Sequence, residues 1–284
     1  MYGAFRLTHP DRLMFRTPAI TKRDLLDHYL LVADRMLPAL KGRPLSLVRC
    51  PDGLAGSCFF QRKPSPGFGD AVKSARVGKN SVVYIDDLRG LGALVQMNVI
   101  EIHAWGAKLD DIEHPDQIVL DLDPGDGVAF QRIAAAAKLL RGLLRKQKLE
   151  SFVRTSGGKG LHVVIPLEPR ADWDQVKDFA RGIATSLAKE HPQEFVAVAG
   201  SSKRKGRIFI DYLRNSLAAS SVASYSVRAR DGAGVATPLS WEELGRVKSA
   251  AQFNVINLGA RLKREKKDPW RDFGKTRQTL PRTK

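Results

Sequence analysis

The chain has 284 residues, enough for one large domain or for two small ones that share a core. Hydrophobic residues account for 43% and charged residues for 27% of it, as in ordinary soluble globular proteins. No run reaches the roughly 18 consecutive apolar residues of a membrane-spanning helix. The N-terminus carries charges at Arg6, Asp11 and Arg12, where a secretory signal would be apolar. We therefore expect neither a membrane span nor a secretory signal.

The charge balance is strongly basic. The formal net charge is +17 and the isoelectric point is about 10.1, far more basic than solubility requires. Such an excess favours a polyanionic partner, which is usually a nucleic acid. A ribosome-like protein or a binder of anionic membranes would carry the same excess without any chemistry of its own, so motifs are needed to separate these classes.

The two cysteines, Cys50 and Cys58, are too few for a disulfide framework. Their spacing matches no zinc motif without further partners, and a short pair near a turn is more often structural. We expect both thiols to be reduced, in a cytoplasmic protein.

The first third of the chain mixes a long helix with short extended segments. Apolar residues at helical spacing predict a helix over 22–40, with Thr21 as its N-cap and an end near Pro38. Further elements predicted here are strands at Leu45–Cys50, Cys58–Gln61, Ser81–Ile85 and Ile100–Trp105, a loop at 63–70 and a helix at Leu88–Met97.

The centre of the chain alternates strands and helices. The nearly continuous apolar run Gln117–Leu122 predicts a buried strand, which ends in a turn over 123–127. The elements predicted after it are helices at Ala129–Lys146 and 172–190 and strands at Phe152–Thr155, His162–Pro166, Arg207–Tyr212 and Ser224–Arg228. This mixture predicts an α+β fold whose central, mostly antiparallel sheet is flanked by helices. The last 24 residues, from Arg261, hold ten Lys or Arg against three Asp or Glu and predict a solvated helix or a loose arm.

Two carboxylates end the buried strand. Asp121 and Asp123 stand at positions i and i+2, so their side chains face the same side of the strand. Two such negative charges repel each other unless a cation lies between them, and hard divalent cations prefer oxygen ligands. The alternative is an ordinary turn, in which Asp123 and Asp126 are loop residues.

Two further segments carry chemistry of the same kind. Residues Ser156–His162 form a glycine-rich turn that could cradle phosphates, although a plain hairpin turn would have the same composition. Asp211 lies inside an otherwise apolar strand and needs a partner, which is either a metal ion or one of the basic residues around it. Those basic residues are Lys203, Arg204, Lys205, Arg207 and Arg214.

The ordered set of motifs resembles the primase-polymerase superfamily of archaeo-eukaryotic primases, and in detail the polymerase domain of bacterial DNA ligase D. The matching segments are LTHPDR (7–12), TKRDLLDHY (21–29), RCPDG (49–53), CFFQRK (58–63), EIHAW (101–105), RTSGGKGLHVVIPL (154–167), IFIDYLRNS (208–216), ASYSVRAR (223–230) and TPLSWEEL (237–244). The resemblance implies one primase-polymerase domain over 1–284. It divides into a smaller N-terminal part (1–70) that binds DNA and its 5′-phosphate, a primase-like catalytic core (71–262) and a basic C-terminal segment (263–284).

The resemblance also implies roles for individual residues around the nucleotide. Asp121, Asp123 and Asp211 match the acidic ligands of two metal ions, Mn²⁺ or Mg²⁺. The residues that match the family's contacts to the nucleotide and its triphosphate are His103, Ser156, Lys159, His162 and Arg228. Of these, Lys159, His162 and Arg228 would offset, as positive groups, the charge that develops on the departing pyrophosphate.

A second group of residues is implied to contact DNA. Arg12 and Lys22 match basic residues that grip the 5′-phosphate of a gap or break, although the family commonly has lysine at the first position; arginine can also hold a phosphate. Phe59 and Phe60 match an aromatic pair that packs against template bases, and their alternative is that they fill the core. His9 lies where the family also has a polar amide.

The implied activity is a nucleotidyltransferase that favours ribonucleotides, fills gaps and extends ends in non-homologous end joining. Its partners would be DNA ends or gapped duplexes with a 5′-phosphate, NTPs or dNTPs, Ku and a DNA ligase, in the cytoplasm at the nucleoid and without a membrane. No K-x-D-G segment of a ligase is present, so the protein stands alone or is one domain of a longer chain. The competing readings are a primase that needs no primer and a non-catalytic module that binds DNA ends.

Overall fold

The computed structural model describes residues 7–200 and 204–281, which form an α+β fold with two large sheets. In chain order the strands are β1 (Leu13–Phe15), β2 (Ile20–Thr21), β3 (Leu45–Arg49), β4 (Phe59–Gln61), β5 (Lys73–Val77), β6 (Asn80–Tyr84), β7 (Val99–Trp105), β8 (Gln117–Pro124), β9 (Phe152–Thr155), β10 (Leu161–Pro166), β11 (Phe195–Val196), β12 (Ile208–Asp211), β13 (Ser220–Val222) and β14 (Pro238–Leu239). The helices are α1 (Lys22–Leu40), α2 (Leu88–Gln96), α3 (Phe130–Lys146), α4 (Trp173–Glu190) and α5 (Leu258–Arg264).

The first sheet, which we call the N-terminal sheet, has the strand order β13-β7-β3-β6-β5, with β4 paired to β3. Helix α1 packs on it and begins at a capping box: the Thr21 hydroxyl accepts from the Asp24 N–H, and the Asp24 carboxylate accepts from the Thr21 N–H. Alternate residues of β7, such as Ile100 and Ile102, are fully buried in the core with α1. The opposite face of β7 therefore carries Glu101 and His103.

The second sheet, which we call the central sheet, has the order β11-β12-β8-β10-β9-β14. Its neighbours pair antiparallel except β11 and β12, which are parallel. Leu120 and Leu122 of β8 lie in one core with apolar side chains of α3 and α4. Because side chains alternate along a strand, Asp121 and Asp123 face away from these helices. The predicted α+β class with a mostly antiparallel sheet flanked by helices is confirmed.

One predicted strand is wrong. Residues 224–228 are not a regular strand, because Tyr225 has a φ of 68° and the chain turns there. Its N–H donates to the Ala236 carbonyl, so the segment forms an irregular hairpin with residues 234–236. The regular strand lies just before it, at β13. Strand β5 is also missing from the sequence prediction, because its exposed basic residues hide the strand pattern.

Element ends also shift by a few residues. Helix α1 continues past Pro38 to Leu40: the proline removes one N–H donor, and the Lys41 N–H still closes the last turn by donating to the Leu37 carbonyl at 2.9 Å. Strand β8 extends through Asp123 and Pro124, which were predicted to be turn residues. This extension matters because it keeps Asp123 in the regular alternation of the strand.

The expectation of reduced thiols is wrong: Cys50 and Cys58 form a disulfide with a Cα–Cα distance of 4.3 Å. The reason lies in the pairing of β3 with β4, where Arg49 stands opposite Phe59. The next residue outward on each strand is a cysteine, so the two side chains meet directly across the hairpin.

The basic C-terminal segment is not a loose arm within the part that the structure describes. Arg261 of α5 is buried and pairs with Glu243 at 2.7 Å, which contradicts a fully solvated helix. Further on, the indole N–H of Trp270 donates to the Val153 carbonyl of β9, and Gln278 donates to the Pro166 carbonyl of β10. The segment therefore packs against β9 and β10 of the central sheet.

The predicted division at residue 70 runs through a continuous structure. Strand β3 pairs with β7 in one sheet, and the core beneath that sheet includes residues from both sides of the division. The separate roles of the two parts stay a prediction. Within residues 7–200 and 204–281, no helix combines the length and apolar character that crossing a bilayer requires.

One buried side-chain amide, that of Asn215, satisfies backbone groups of β8 that β12 does not reach. Strand β12 ends at Asp211, and beyond it the Asn215 side chain accepts from the Val119 N–H at 2.8 Å and donates to the Val119 carbonyl at 2.9 Å.

Asn215→Ala would leave both backbone groups of Val119 buried without their partner. We expect it to lower the free energy of unfolding by about 2 kcal/mol in urea titrations. The exposed Asn80→Ala is the control, with an expected change under about 0.5 kcal/mol; equal effects of the two substitutions would contradict this account.

Candidate active site

Three carboxylates lie on the face of the central sheet that points away from its helices. In the pairing of β12 with β8, Asp211 stands directly opposite Asp121. Residues opposite each other in an antiparallel pair share a face, and Asp123 lies two positions along the same face. Burial raises the pKa of Asp121 to about 7; Arg214 opposes this rise, whereas Asp123 and Asp211 add to it. The predicted trio is thus brought together.

Arginines accompany these carboxylates. Arg214 Nε lies 3.1 Å from Asp211 and 4.0 Å from Asp121, and Arg204 Nη1 lies 3.0 Å from Asp123. Within the described ranges, no three His, Cys, Asp or Glu side chains converge closely enough to form a ready-made metal site. Of the two predicted partners of Asp211, the structure shows the arginine, while the metal ion stays a prediction.

A histidine and an arginine extend this row across the sheet. His162 of β10 stands opposite Asp121, and Arg154 of β9 stands opposite His162. His162 Nδ1 accepts from Arg154 Nε at 3.2 Å, while Nε2 lies 3.6 Å from Asp121. Because a guanidinium only donates, Nδ1 must carry the lone pair and Nε2 the proton. Burial lowers the pKa of His162 well below its usual value, with Arg154 adding to the effect. The expectation of a positively charged His162 is therefore wrong, and the ring is a neutral donor.

The glycine-rich turn joins β9 to β10 next to this row. The Ser156 hydroxyl accepts from the N–H groups of Gly158 at 3.3 Å and Gly160 at 3.1 Å, which fixes the turn. A Cβ at Gly160 would lie 2.3 Å from the Leu122 carbonyl oxygen, so only glycine allows the turn to approach β8 so closely. Lys159 is exposed at the tip. Arg228 reaches the turn and donates to the Ser156 carbonyl at 2.8 Å.

The N-terminal sheet supplies a second wall. His103 Nε2 lies 2.7 Å from Glu101, and burial lowers the pKa of His103 although Glu101 opposes the shift. Phe60 meets the His103 ring edge to face at 5.8 Å. Phe59 and Phe60 are 46% and 63% exposed, so the alternative that they fill the core is wrong. The hairpin of β3 and β4 presents both rings to solvent.

Arg12 and Lys22 form a basic cluster beside the start of α1. Lys22 is almost completely buried, and its Nζ donates to the Gln96 carbonyl at 2.7 Å. Arg12 donates to the Pro51 carbonyl at 2.6 Å. Burial lowers the pKa of Lys22 to about 8, and the charge of Arg12 lowers it further. Two neighbouring cations held by carbonyl oxygens have the character of an anion site. His9 is exposed close by, and its role stays open.

Comparison with known proteins now decides the family, because residues 21–270 match the model of the LigD primase-polymerase domain. The chain belongs to this family. The multifunctional non-homologous end joining protein LigD of Pseudomonas aeruginosa is 42% identical over 280 residues, which are 97% of this chain and 33% of that protein. The bifunctional LigD protein of Bacillus subtilis is 28% identical over 282 residues, which are 99% of this chain and 46% of that protein. The chain thus spans about a third to a half of the length of these relatives.

A solved structure shares the fold of this LigD primase-polymerase chain. The polymerase domain of Mycobacterium tuberculosis ligase D, in complex with DNA, superposes with a TM-score of 0.85 at 28% identity. The match covers 95% of this chain and 98% of that one. The resemblance that the motifs indicated is therefore confirmed, as is the expected fold.

The predicted nucleotide site of this family member lies where the two sheets approach each other, since Arg228 contacts both Glu101 of β7 and Ser156 of the glycine-rich turn; we call this region the cleft. Lys203 lies outside the described residues. Sequence reasoning misses Glu101 and Arg154. Glu101 has the signal that revealed Asp211, a carboxylate inside an apolar strand. Arg154 could be found only from the register of β9 with β10, which places it opposite His162.

Proposed function

We propose that this chain is a metal-dependent nucleotidyltransferase that adds nucleotides to DNA ends and gaps during non-homologous end joining. The observation that carries the proposal is the position of Asp121, Asp123 and Asp211 on one face of the sheet, next to a glycine-rich turn. The membership of the chain in the LigD primase-polymerase family supports the same activity. Its relatives are named as end-joining proteins, which supports the setting.

The proposed cofactor is a pair of divalent cations, Mn²⁺ or Mg²⁺. Asp121, Asp123 and Asp211 would hold one ion, and Asp121 with Asp123 would hold the other. The donor set fits, because hard cations prefer carboxylate oxygens and because three clustered carboxylates repel one another without a cation. When bound, two such ions stabilise the attacking and leaving oxygens of an in-line displacement. Arg214 is 46% exposed at its side chain and can turn away toward solvent.

The other residues of the cleft would bind and orient the nucleotide. Lys159 and Arg228 bring positive charge to the glycine-rich turn, while neutral His162 offers an N–H. Ser156 shapes the turn, and His103 would line the nucleotide from the opposite wall. Phosphoryl transfer depends mainly on positioning and electrostatics, so these groups matter as much as the carboxylates.

DNA is the proposed macromolecular partner. The net charge of +17 favours a polyanion, and the cluster of Arg12 and Lys22 suits the 5′-phosphate of a downstream strand. The exposed rings of Phe59 and Phe60 suit stacking on unpaired template bases. The M. tuberculosis polymerase domain was solved with DNA, which supports the same partner here. Preference for ribonucleotides, cooperation with Ku and a ligase, and a location at the nucleoid rest on the family resemblance.

Primer extension on a gapped duplex with a 5′-phosphate tests the activity, using Mn²⁺ or Mg²⁺ with rNTPs or dNTPs. We expect addition to the primer end, and a fall of at least about 100-fold for Asp121→Ala and Asp211→Ala because the cation ligands are lost. Binding to the same duplex should persist. Asp126→Ala is the matched control, since Asp126 is an exposed carboxylate of the same segment.

Two outcomes would contradict the proposal. Normal extension by either variant would remove the metal assignment, and no extension by the unaltered chain would favour a non-catalytic module that binds DNA ends. Synthesis on a single-stranded template without a primer would instead indicate a primase.

The low pKa of Lys22 makes recognition of the 5′-phosphate depend on pH. With a pKa lowered to about 8, Lys22 is charged at pH 7 and loses its proton as the pH rises through and above that value. We expect the preference for 5′-phosphorylated over 5′-hydroxyl gapped DNA to fall about tenfold between pH 7 and pH 9.5, measured by fluorescence anisotropy. Lys22→Arg should keep the preference at both pH values, because arginine stays charged. A preference that is absent, or constant with pH in the unaltered chain, would exclude this role of Lys22.

A further inference from the structure

Glu101 is a buried acid in the cleft that the proposed mechanism does not use. It lies on β7 and is 5% exposed. Its Oε2 accepts from His103 Nε2 at 2.7 Å, and its Oε1 accepts from the Ala229 N–H at 2.7 Å. Arg228 Nε lies 3.1 Å from the same Oε1. One carboxylate therefore contacts two residues that the family resemblance assigns to the nucleotide.

The contact with His103 fixes the tautomer of that ring. An ionised carboxylate only accepts hydrogen bonds, so His103 Nε2 must carry a proton. Burial raises the pKa of Glu101, but the hydrogen bond from His103 and the charge of Arg228 outweigh it and bring the pKa to about 2. The carboxylate is thus ionised at neutral pH. Burial also lowers the pKa of His103, so its Nδ1 holds a lone pair, and no hydrogen bond to Nδ1 comes from the described residues.

The contact with Arg228 fixes the direction of a guanidinium. Glu101 lies against its Nε side and binds the next backbone N–H at Ala229. The far end, Nη1, then reaches the Ser156 carbonyl at 2.8 Å. The chain of contacts from Glu101 through Arg228 to Ser156 joins the N-terminal sheet to the glycine-rich turn of the central sheet. Glu101 thus links the two walls of the cleft, in addition to the hydrogen bonds that Arg154 donates to Ser221 and Ser224.

We propose that Glu101 is a positioning residue of the nucleotide pocket, which holds His103 as its Nε2–H tautomer and aims Arg228 at the glycine-rich turn. The proposal rests on the proposed function, because His103 and Arg228 are nucleotide contacts only if the chain binds a nucleotide. A purely structural ion pair would instead stabilise the fold without setting the state of His103.

Glu101→Gln separates these roles because an amide has one acceptor and one donor end. Two donors, the Ala229 N–H and Arg228, meet the Oε1 side, so the amide oxygen belongs there. The NH₂ group then faces His103 Nε2, which must become an acceptor and pass its proton to Nδ1. Long-range ¹H–¹⁵N NMR of the histidine rings reports the tautomer, and His103→Asn assigns the signals.

We expect the unaltered chain to show His103 as the Nε2–H tautomer and Glu101→Gln to show the Nδ1–H tautomer. In extension assays on the gapped duplex, Glu101→Gln should raise the KM for the incoming ATP or GTP about ten- to hundredfold. Its affinity for the gapped duplex and its midpoint of thermal unfolding should stay close to those of the unaltered chain.

Asp111→Asn is the matched control. Asp111 accepts from His114 Nδ1 at 2.7 Å, but this pair is about two-fifths exposed and lies outside the cleft. It should change the His114 signals and leave the KM unaltered. If Glu101→Gln does not fold, Glu101→Asp provides the second test, because it keeps the charge but draws the carboxylate back from His103.

The outcomes separate this proposal from the proposed function. An Nδ1–H tautomer in the unaltered chain, or an unchanged KM in a folded Glu101→Gln, would overturn the positioning role. Absence of any nucleotide addition by the unaltered chain would overturn the proposed function, and the NMR measurement would then still show whether Glu101 sets the His103 ring.

Discussion

The antiparallel pairing of β12 with β8 is the constraint on which the site depends. It sets Asp211 opposite Asp121, although ninety positions separate them in the chain, and it does so through backbone hydrogen bonds that continue into the buried sheet. A shift of one residue in this register would turn Asp211 toward the helices on the other face. Beyond Asp211, the side-chain amide of Asn215 replaces β12 as the hydrogen-bond partner of β8. Asp211 therefore lies at the position where the pairing of the two strands ends.

Electrostatic balance explains how such a sheet tolerates its charges. The row across β12, β8, β10 and β9 begins with two carboxylates, Asp211 and Asp121, and continues with two hydrogen-bond donors, His162 and Arg154. Arg214 and Arg204 offset the negative charge of the aspartates from the open side. On the opposite wall, Glu101 balances Arg228 and directs His103. The cleft therefore carries carboxylates near one end and hydrogen-bond donors at the other, an arrangement that supports the proposed binding of a triphosphate with its cations.

Much of this could be predicted from the sequence, and the failures have identifiable causes. The apolar run before Asp121 indicated a buried strand, and the i, i+2 spacing placed Asp123 on the same face. The partnership of Asp211 with Asp121 could be predicted only from the family resemblance, because it depends on strand register rather than on local pattern. The disulfide was missed for a similar reason, since it follows from the pairing of Arg49 with Phe59. The neutral state of His162 depends on its burial and on Arg154 across a hairpin, and no local pattern reveals either.

The central claim is that Asp121, Asp123 and Asp211 together bind divalent cations. Anomalous diffraction from crystals grown with Mn²⁺ and a nucleoside triphosphate tests this claim most directly. The account predicts manganese peaks within bonding distance of all three carboxylates, with the Arg214 side chain turned away from Asp211. Crystals in which Arg214 keeps its contact with Asp211 and no manganese lies among the three aspartates would contradict it.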